Sequence, residues 1–395
     1  MKVLQINATY GRGSTGRNVQ EQHEYYLSKG VDSYVAYAIV GEKNERVFRI
    51  GNTIDHKAHA LLSRLTGRQG KYSYLATRKH LKRIDEIAPD VVHLHNLHSN
   101  YIHLPSLLKY LAKKDIATVL TLHDFWFFTG RCYHYLYDGC DKYQTECGKC
   151  PYLKRNHSIF DFSKKDFLLR KRLFSQIKKL GIVGVSKWCI EEAESGFFKD
   201  FGEKTYIHNW VDGSIFYPRE TEVKQHKTIV AVSQGWSAEK GLPQAIALAD
   251  ELGDEAELLL IGKMDRDAIL PKNVRAVGYV GDINVLAKYY SEADCFVNFS
   301  TVETFGKVVI EAMACGTPAV VFSSTALKEL VEGECGKAVN AGDTLAMAQA
   351  VREILEKGKS YYKENCLLAV KERFAYQGQV EKYLDFYRRV KDERT

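Results

Sequence analysis

The chain has 395 residues and a mass of 45.0 kDa, too long for one ordinary domain and suited to two of roughly 150–220 residues. A hydrophobic fraction of 45% with 27% charged residues excludes a disordered chain. No apolar run approaches the roughly 18 residues of a membrane span. The N-terminus has no apolar stretch long enough for a signal peptide, so a cytosolic location is expected. The net charge of +7 is uneven: residues 1–218 carry 33 Lys+Arg against 22 Asp+Glu, and residues 219–395 carry 23 against 27. A basic front half suits an anionic partner such as phosphate groups or a membrane surface. Nucleic acid is not expected among the partners.

Short β-branched runs alternate with amphipathic stretches along the whole chain. Strands are predicted at Val3–Asn7, Ser33–Val40, Val47–Ile50, Val91–His95, Thr118–Leu122 and Ile182–Val185. Helices are predicted at Gly16–Lys29, Asp55–Leu65, Tyr72–Ala88 and Pro105–Lys113. The second half repeats the rhythm. Its strands fall at Thr228–Val232, Glu257–Ile261, Val274–Val277, Cys295–Asn298 and Ala319–Phe322, and its helices at Leu242–Leu252, Ile283–Glu292, Gly306–Cys315 and Leu345–Glu356. Nearly all-apolar strands alternating with helices imply parallel sheets covered on both faces. Two such series imply an α/β protein of two doubly wound, Rossmann-like domains. Pro218 and the polar run Arg219-Glu220-Thr221-Glu222 mark the join, giving domains 1–218 and 219–375 and a C-terminal helix over 376–395.

Ligands of open parallel sheets bind at the carboxyl ends of strands, so the loops there hold the candidate chemistry. Tyr10-Gly11-Arg12-Gly13-Ser14-Thr15-Gly16 opens the first helix and reads as a tight turn or as a phosphate loop. His123-Asp124 follows the strand Thr118–Leu122. It is either a hydrogen-bonded corner or a neutral imidazole that meets a sugar hydroxyl. The most specific segment is Ser300–Glu311, where a loop bearing Glu303 runs into a helix starting near Phe305-Gly306 and carrying Glu311. Apolar neighbours on both sides of Glu311 speak against a surface acid, and a buried acid needs a partner.

Glu303 and Glu311 with Phe305-Gly306 between them resemble the Glu-x7-Glu signature of retaining nucleotide-sugar glycosyltransferases with two facing Rossmann-like domains, the GT-B architecture, and family 4 among them. The resemblance also takes in the first glycine loop, His123, Val185-Ser186-Lys187, His208-Asn209-Trp210-Val211-Asp212, Glu239-Lys240-Gly241, Gly278-Tyr279-Val280 and Ala293–Val297. It implies that Glu303 holds the donor sugar and Glu311 the ribose. Phe305, Gly306 and Lys307 would cradle the diphosphate, and Lys240 would neutralise it as it leaves. Tyr279 and Val280 would lie against the base. Gly13, Ser14 and Asn209 join the donor-binding set, and His123 the catalytic one. The first domain would then serve the acceptor and the second the nucleotide-sugar, with the C-terminal helix crossing back. A UDP-sugar is favoured over a GDP-sugar, no cofactor is required for catalysis, and the acceptor is a glycan or a lipid-linked sugar. One departure stands out: the family's usual Arg, five residues before Lys240, is here Gly235, and Lys263 or Lys307 would have to replace it. Asp265-Arg266-Asp267 is read as a coincidental match to a metal motif. A nucleotide-sugar 2-epimerase of the same architecture and a non-catalytic nucleotide-binding module are the alternatives.

Cys132, Cys140, Cys147 and Cys150 cluster in the segment 126–155. Their density in a cytosolic chain favours a structural zinc site over disulfides or free thiols. Two basic stretches read as core helices or as docking elements for an anionic inner membrane surface. Residues 163–180 carry seven cations around Leu169, Leu173, Ile177 and Leu180, and residues 55–83 place Leu61, Leu62 and Leu65 among Lys57, Arg64, Arg68 and Lys71.

Overall fold

A computed structural model describes residues 1–155, 158–220, 226–264 and 267–392. Part of the expected join (Thr221-Glu222) and two residues of the Asp265-Arg266-Asp267 motif lie outside the described residues. The chain forms two compact units, Met1–Ile207 with the returning segment from Val380, and His208–Gln379.

The first unit runs β1 (Lys2–Ile6), α1 (Gly13–Ser28), β2 (Asp32–Tyr37), β3 (Val47–Arg49), α2 (Thr53–Thr66), α3 (Tyr74–Ile87), β4 (Val91–Leu94), α4 (Leu104–Lys114) and β5 (Ala117–Leu122). It continues with α5 (Tyr152–Arg155), α6 (Ser163–Phe174), β6 (Leu180–Gly184), α7 (Lys187–Ser195) and β7 (Glu203–Tyr206). The strands make one parallel sheet in the order β3-β2-β1-β4-β5-β6-β7. Every residue of β4, β5 and β6 is buried, which is why these strands read as continuous apolar runs.

The second unit runs β8 (Lys227–Gly235), α8 (Leu242–Leu252), β9 (Ala256–Lys263), β10 (Val274–Gly278), α9 (Ile283–Glu292), β11 (Cys295–Asn298) and α10 (Lys307–Ala314). Then come β12 (Ala319–Phe322), α11 (Leu327–Leu330), β13 (Gly336–Val339), α12 (Thr344–Lys357) and α13 (Lys359–Ala369). Its parallel sheet has the order β10-β9-β8-β11-β12-β13. A final helix, α14 (Tyr376–Asp392), belongs to the first unit from Val380 onward. There Tyr383 and Tyr387 are buried, and Thr121 and His93 of the first sheet hydrogen-bond them.

Strand order reverses between β1 and β4 in the first sheet and between β8 and β11 in the second. Such switch points open a crevice at the carboxyl ends of the strands. In each unit, the loops after these strands hold the side chains best placed to meet a ligand.

Two expectations are corrected. The division falls at Ile207/His208 rather than after Pro218, because Val211 bridges to Ala375 and Phe216 packs against Tyr290, both in the second unit. Residues 163–180 are not one helix. α6 stops at Phe174, Ile177 is buried in the connection, and Leu180 begins β6. The apolar face of this stretch is therefore core, and its Asp166 is a buried anchor for Arg68 at 2.6 Å and Lys71 at 3.4 Å.

Candidate functional site

In the second unit the loop after β11 is tied down residue by residue. The Asn298 side chain accepts from the Ser300 N–H at 2.8 Å. The Glu303 N–H donates to the Thr325 hydroxyl at 3.1 Å, and Ser324 Oγ donates to the Thr301 carbonyl at 2.8 Å. Glu303 is left half-buried at the carboxyl end of the sheet. Phe305 is buried against the His208 and Phe374 rings. Gly306 has φ 93°, and a Cβ there would lie 2.5 Å from Leu327 Cδ2, so only glycine fits. α10 then starts at Lys307 with no side chain capping its first N–H groups, which leaves a positive helix end open to an anion. Glu311, one turn in, is 1% exposed and accepts from the Tyr290 hydroxyl at 3.3 Å.

The loop after β8 lies alongside. Gly241 has φ 82°, and a side chain there would collide with Phe299, so this turn packs directly on the loop that carries Glu303. It presents Lys240 exposed at the end of a short 3-10 turn. Gly235 and Lys263 are register partners on β8 and β9. The Trp236 N–H donates to the Lys263 carbonyl at 2.8 Å, and the Lys263 ammonium stands 5.8 Å from the centre of the Tyr279 ring. Tyr279 is 65% exposed, and Val280 beside it is half-buried. Lys307 lies over the Trp210 ring at 6.0 Å, which brings the buried Asn209-Trp210 pair next to the start of α10.

In the first unit, Gly11 and Gly13 have φ 72° and 67°. The Gly11 N–H donates to the Gly16 carbonyl at 2.9 Å, closing the turn, and Gly13 and Ser14 are exposed at the start of α1. Arg12 precedes that helix with no capping hydrogen bond from its side chain. At the end of β5, His123 Nε2 is 3.0 Å from His95 Nδ1, and burial pushes the His123 pKa down to about 4. Asp124 accepts from the Trp126 N–H at 2.9 Å and pairs with His98 at 2.9 Å. Burial opposes its ionisation, but His98 and the Trp126 N–H outweigh that and hold its pKa below the usual carboxylate range. Gly13, Ser14 and His123 thus share the first unit; Glu303, Glu311, Lys240, Lys307, Tyr279 and Asn209 share the second.

Residues 226–357 match the family described as Glycosyl transferases group 1. The glycosyl transferase WcaC of Escherichia coli K12, named for colanic acid biosynthesis, is 25% identical over 99% of this chain and 100% of its own length. Sucrose-phosphate synthase from Thermosynechococcus elongatus superposes with a TM-score of 0.71 at 18% identity over 98% of each chain. The Anabaena protein HepE, solved in complex with UDP, gives 0.66 at 15% identity over 98% of this chain and 99% of its own. The fold is GT-B, with one parallel sheet in each unit.

The cysteine segment is held by contacts that its spacing does not announce. Among the described residues no group of three or more His, Cys, Asp or Glu side chains is arranged to hold a metal ion. Cys132, Cys140, Cys147 and Cys150 are free thiols, the first and third buried. Arg170 lies 3.9 Å over the Trp126 ring and donates to the Trp126 carbonyl at 2.7 Å and the Thr129 carbonyl at 2.5 Å. Tyr135 and Tyr143 both donate to Glu192 on α7. Sequence reasoning missed Tyr290, Thr325, His95 and His98 as parts of the two sites. The run His93-Leu94-His95-Asn96-Leu97-His98 is a visible signal, since three histidines crowd the end of one short strand.

Proposed function

We propose that the protein transfers a sugar from a nucleotide-sugar to a glycan or lipid-linked acceptor in polysaccharide assembly, with retention of configuration at the anomeric carbon. The observation that carries the reading is the segment Ser300–Glu311: an anchored loop holding Glu303, a position that only glycine can occupy, and an uncapped helix start with a buried carboxylate one turn further on. In this reading the α10 N–H groups and Lys307 take the diphosphate, Glu311 takes the ribose, and Glu303 holds the sugar hydroxyls. The anomeric C–O bond breaks toward the diphosphate while the acceptor hydroxyl attacks from the same face, and its proton passes to the departing phosphate oxygen. Lys240 faces the charge that grows on that oxygen, and fixed cations act most where charge develops. The reaction needs no cofactor. A UDP-sugar is the favoured donor, supported by the UDP named for the Anabaena protein, and WcaC supports a surface polysaccharide as the product class.

The acceptor side is proposed to work at the cytosolic face of an anionic membrane. No helix among the described residues is long and apolar enough to cross a membrane. α2 and α3 instead leave Ile54, Leu61, Leu62, Leu65 and Leu75 exposed, interspersed with exposed Lys57, Arg64, Arg78 and Lys79. Incubating the protein with UDP- and GDP-sugars, with and without a lipid-linked saccharide, tests the reading. Acceptor-dependent release of the nucleoside diphosphate is expected. Conversion of the donor to its epimer with no acceptor present would mark a 2-epimerase, and nucleotide binding without turnover would mark a binding module.

A further inference from the structure

The loop that follows β4 is tied down along its length. The Asn96 N–H donates to the Asn7 side chain at 3.2 Å, the Tyr101 hydroxyl donates to the Asn96 carbonyl at 2.9 Å, and the His103 N–H donates to Thr77 Oγ1 at 2.7 Å. Leu97, Tyr101 and Ile102 are fully buried. Between these anchors stands His98, past the carboxyl end of β4, the strand that flanks the reversal of strand order. Its ring is held as firmly as its backbone. The Tyr133 and Trp126 rings lie 4.5 Å and 5.9 Å from it, centroid to centroid. Nε2 is 2.9 Å from Asp124 Oδ2, and the other oxygen of Asp124 accepts from the Trp126 N–H at 2.9 Å. Burial opposes the charge on Asp124, yet His98 and the Trp126 N–H keep its pKa below the usual carboxylate range. An ionised carboxylate only accepts, so His98 carries a proton on Nε2. Nδ1 has no hydrogen-bond partner among the described residues, and the side chain is 18% exposed. Elsewhere in the first unit imidazoles meet hydroxyls of the protein itself: His23 meets Ser33 at 2.8 Å, and His59, His93 and His103 meet Ser73, Thr121 and Ser106 at 2.7 Å each. At His98 the chain supplies a carboxylate on one side and leaves the other side open.

We propose that His98 is a sugar-binding residue of the first unit, its Nδ1 accepting a hydrogen bond from a hydroxyl of the acceptor, and that Asp124 is the positioning residue that holds the proton on Nε2. The class of ligand follows from charge and shape. A neutral imidazole nitrogen takes an O–H, and the carboxylate behind the ring opposes a phosphate. The half-buried Tyr133 ring, its hydroxyl engaged by Gln69, offers an apolar face beside the imidazole, and an aromatic wall with few polar groups suits a neutral saccharide. In a nucleotide-sugar transfer the diphosphate therefore belongs to other residues and His98 to the acceptor. That assignment rests on the transferase reading, whereas the tautomer does not. The hydroxyl is a neighbour of the attacking one, whose proton passes to the departing phosphate oxygen.

The test is nuclear magnetic resonance of the full chain labelled with 15N-histidine, with His98 assigned by its loss in His98→Gln. A proton on Nε2 and a bare Nδ1 are expected. Methyl glycosides of glucose, galactose, mannose and fucose are then added in turn at millimolar concentration. The Nδ1 resonance is expected to shift saturably with at least one of them. A proton on Nδ1 alone, or no shift with any of the four, overturns the proposal. In Asp124→Ala the two ring nitrogens are expected to move toward a common, averaged shift, and an unchanged tautomer in that folded variant removes the role of Asp124. The wild-type titration stands even if the variant does not fold. Kinetics with a lipid-linked saccharide give a second measure. His98→Gln keeps a donor toward Asp124 but lacks the Nδ1 lone pair. It is expected to raise the acceptor KM about tenfold, the worth of one hydrogen bond, with kcat and UDP affinity unchanged. A wild-type acceptor KM in His98→Gln overturns the proposal and leaves the transferase reading intact. If the wild-type chain transfers no sugar, that reading fails, and the glycoside titration still decides whether His98 binds a sugar.

Discussion

Glu303 and Glu311 lie on one short segment, yet their surroundings give them different work. Glu303 is half-buried on an anchored loop, whereas Glu311 is 1% exposed beneath the helix start. Replacing Glu303 or the exposed Lys240 by Ala is expected to lower kcat about a hundredfold or more with little change in Tm. Glu311→Ala should instead act mainly on donor affinity. Steady-state kinetics on the purified variants checks both, and near-normal turnover in Lys240→Ala removes its assigned role. Gly235 offers a second test at this scale. Its φ is not in the left-handed region, and a Cβ there would meet Lys263 Cβ at 4.0 Å, an ordinary contact. The two side chains would therefore project from the same face of the sheet. Lys263→Ala is expected to weaken UDP binding about tenfold, the worth of one charge-assisted hydrogen bond, without affecting uridine. Adding Gly235→Arg should restore the loss. Calorimetric titration reads both, and equal loss for UDP and uridine would assign Lys263 to the base instead of the phosphates.

At the scale of elements, burial decides what the sequence reveals. Strands in the middle of each sheet, such as β5 and β11, are buried along their whole length and stand out as Thr-Val-Leu-Thr-Leu and Cys-Phe-Val-Asn runs. The edge strands β7 and β13, Glu203-Lys204-Thr205-Tyr206 and Gly336-Lys337-Ala338-Val339, are partly open to solvent and escape a reading by apolar runs, because edge positions carry charge without penalty. The same limit misjudges 163–180, where a helical spacing of leucines continues by chance into β6. In the donor loop, residue types and spacing point to Glu303, Gly306 and Glu311, but the partners Thr325 and Tyr290 come from other elements and leave no local trace. The cysteine segment has an anchor that its spacing does not announce, a buried arginine on α6. Arg170→Met is expected to lower stability by about 3–5 kcal/mol, since it removes the cation from Trp126 and leaves two carbonyls unmet. Urea unfolding followed by Trp fluorescence measures it. Of the two basic stretches, α2 keeps Leu61, Leu62 and Leu65 exposed, whereas Leu173, Ile177 and Leu180 of the other are buried. Leu61→Asn with Leu65→Asn should abolish sedimentation with anionic vesicles, whereas Lys164→Ser with Lys165→Ser on α6 should reduce it far less. Equal loss in both pairs would mean that charge alone, not α2, directs the contact.

For the whole molecule, the distribution of histidines makes an asymmetric prediction. Eleven of the 13 histidines precede residue 208. Within the first unit burial lowers the pKa of His23, His59, His80 and His123 to about 4, and holds those of His93 and His95 well below the ordinary value. A histidine whose folded pKa lies below its unfolded value of about 6.5 binds more protons when unfolded. Its contribution to stability is complete above pH 6.5 and is lost as the pH falls from there toward about 4. A tenfold difference in proton affinity between the folded and unfolded chain is worth about 1.4 kcal/mol. Several such groups together are therefore comparable to the whole stability of a domain, about 5–15 kcal/mol. The first unit is expected to unfold between about pH 6 and about pH 4, ahead of the second, which holds only His208 and His226. Hydrogen exchange read by mass spectrometry along a pH series distinguishes the units directly. Peptides of β4 and β5 should lose protection while those of β11 and β12 retain it. Protection in β4 that persists to about pH 4 would falsify the assignment of His93 and His95 as buried neutral imidazoles.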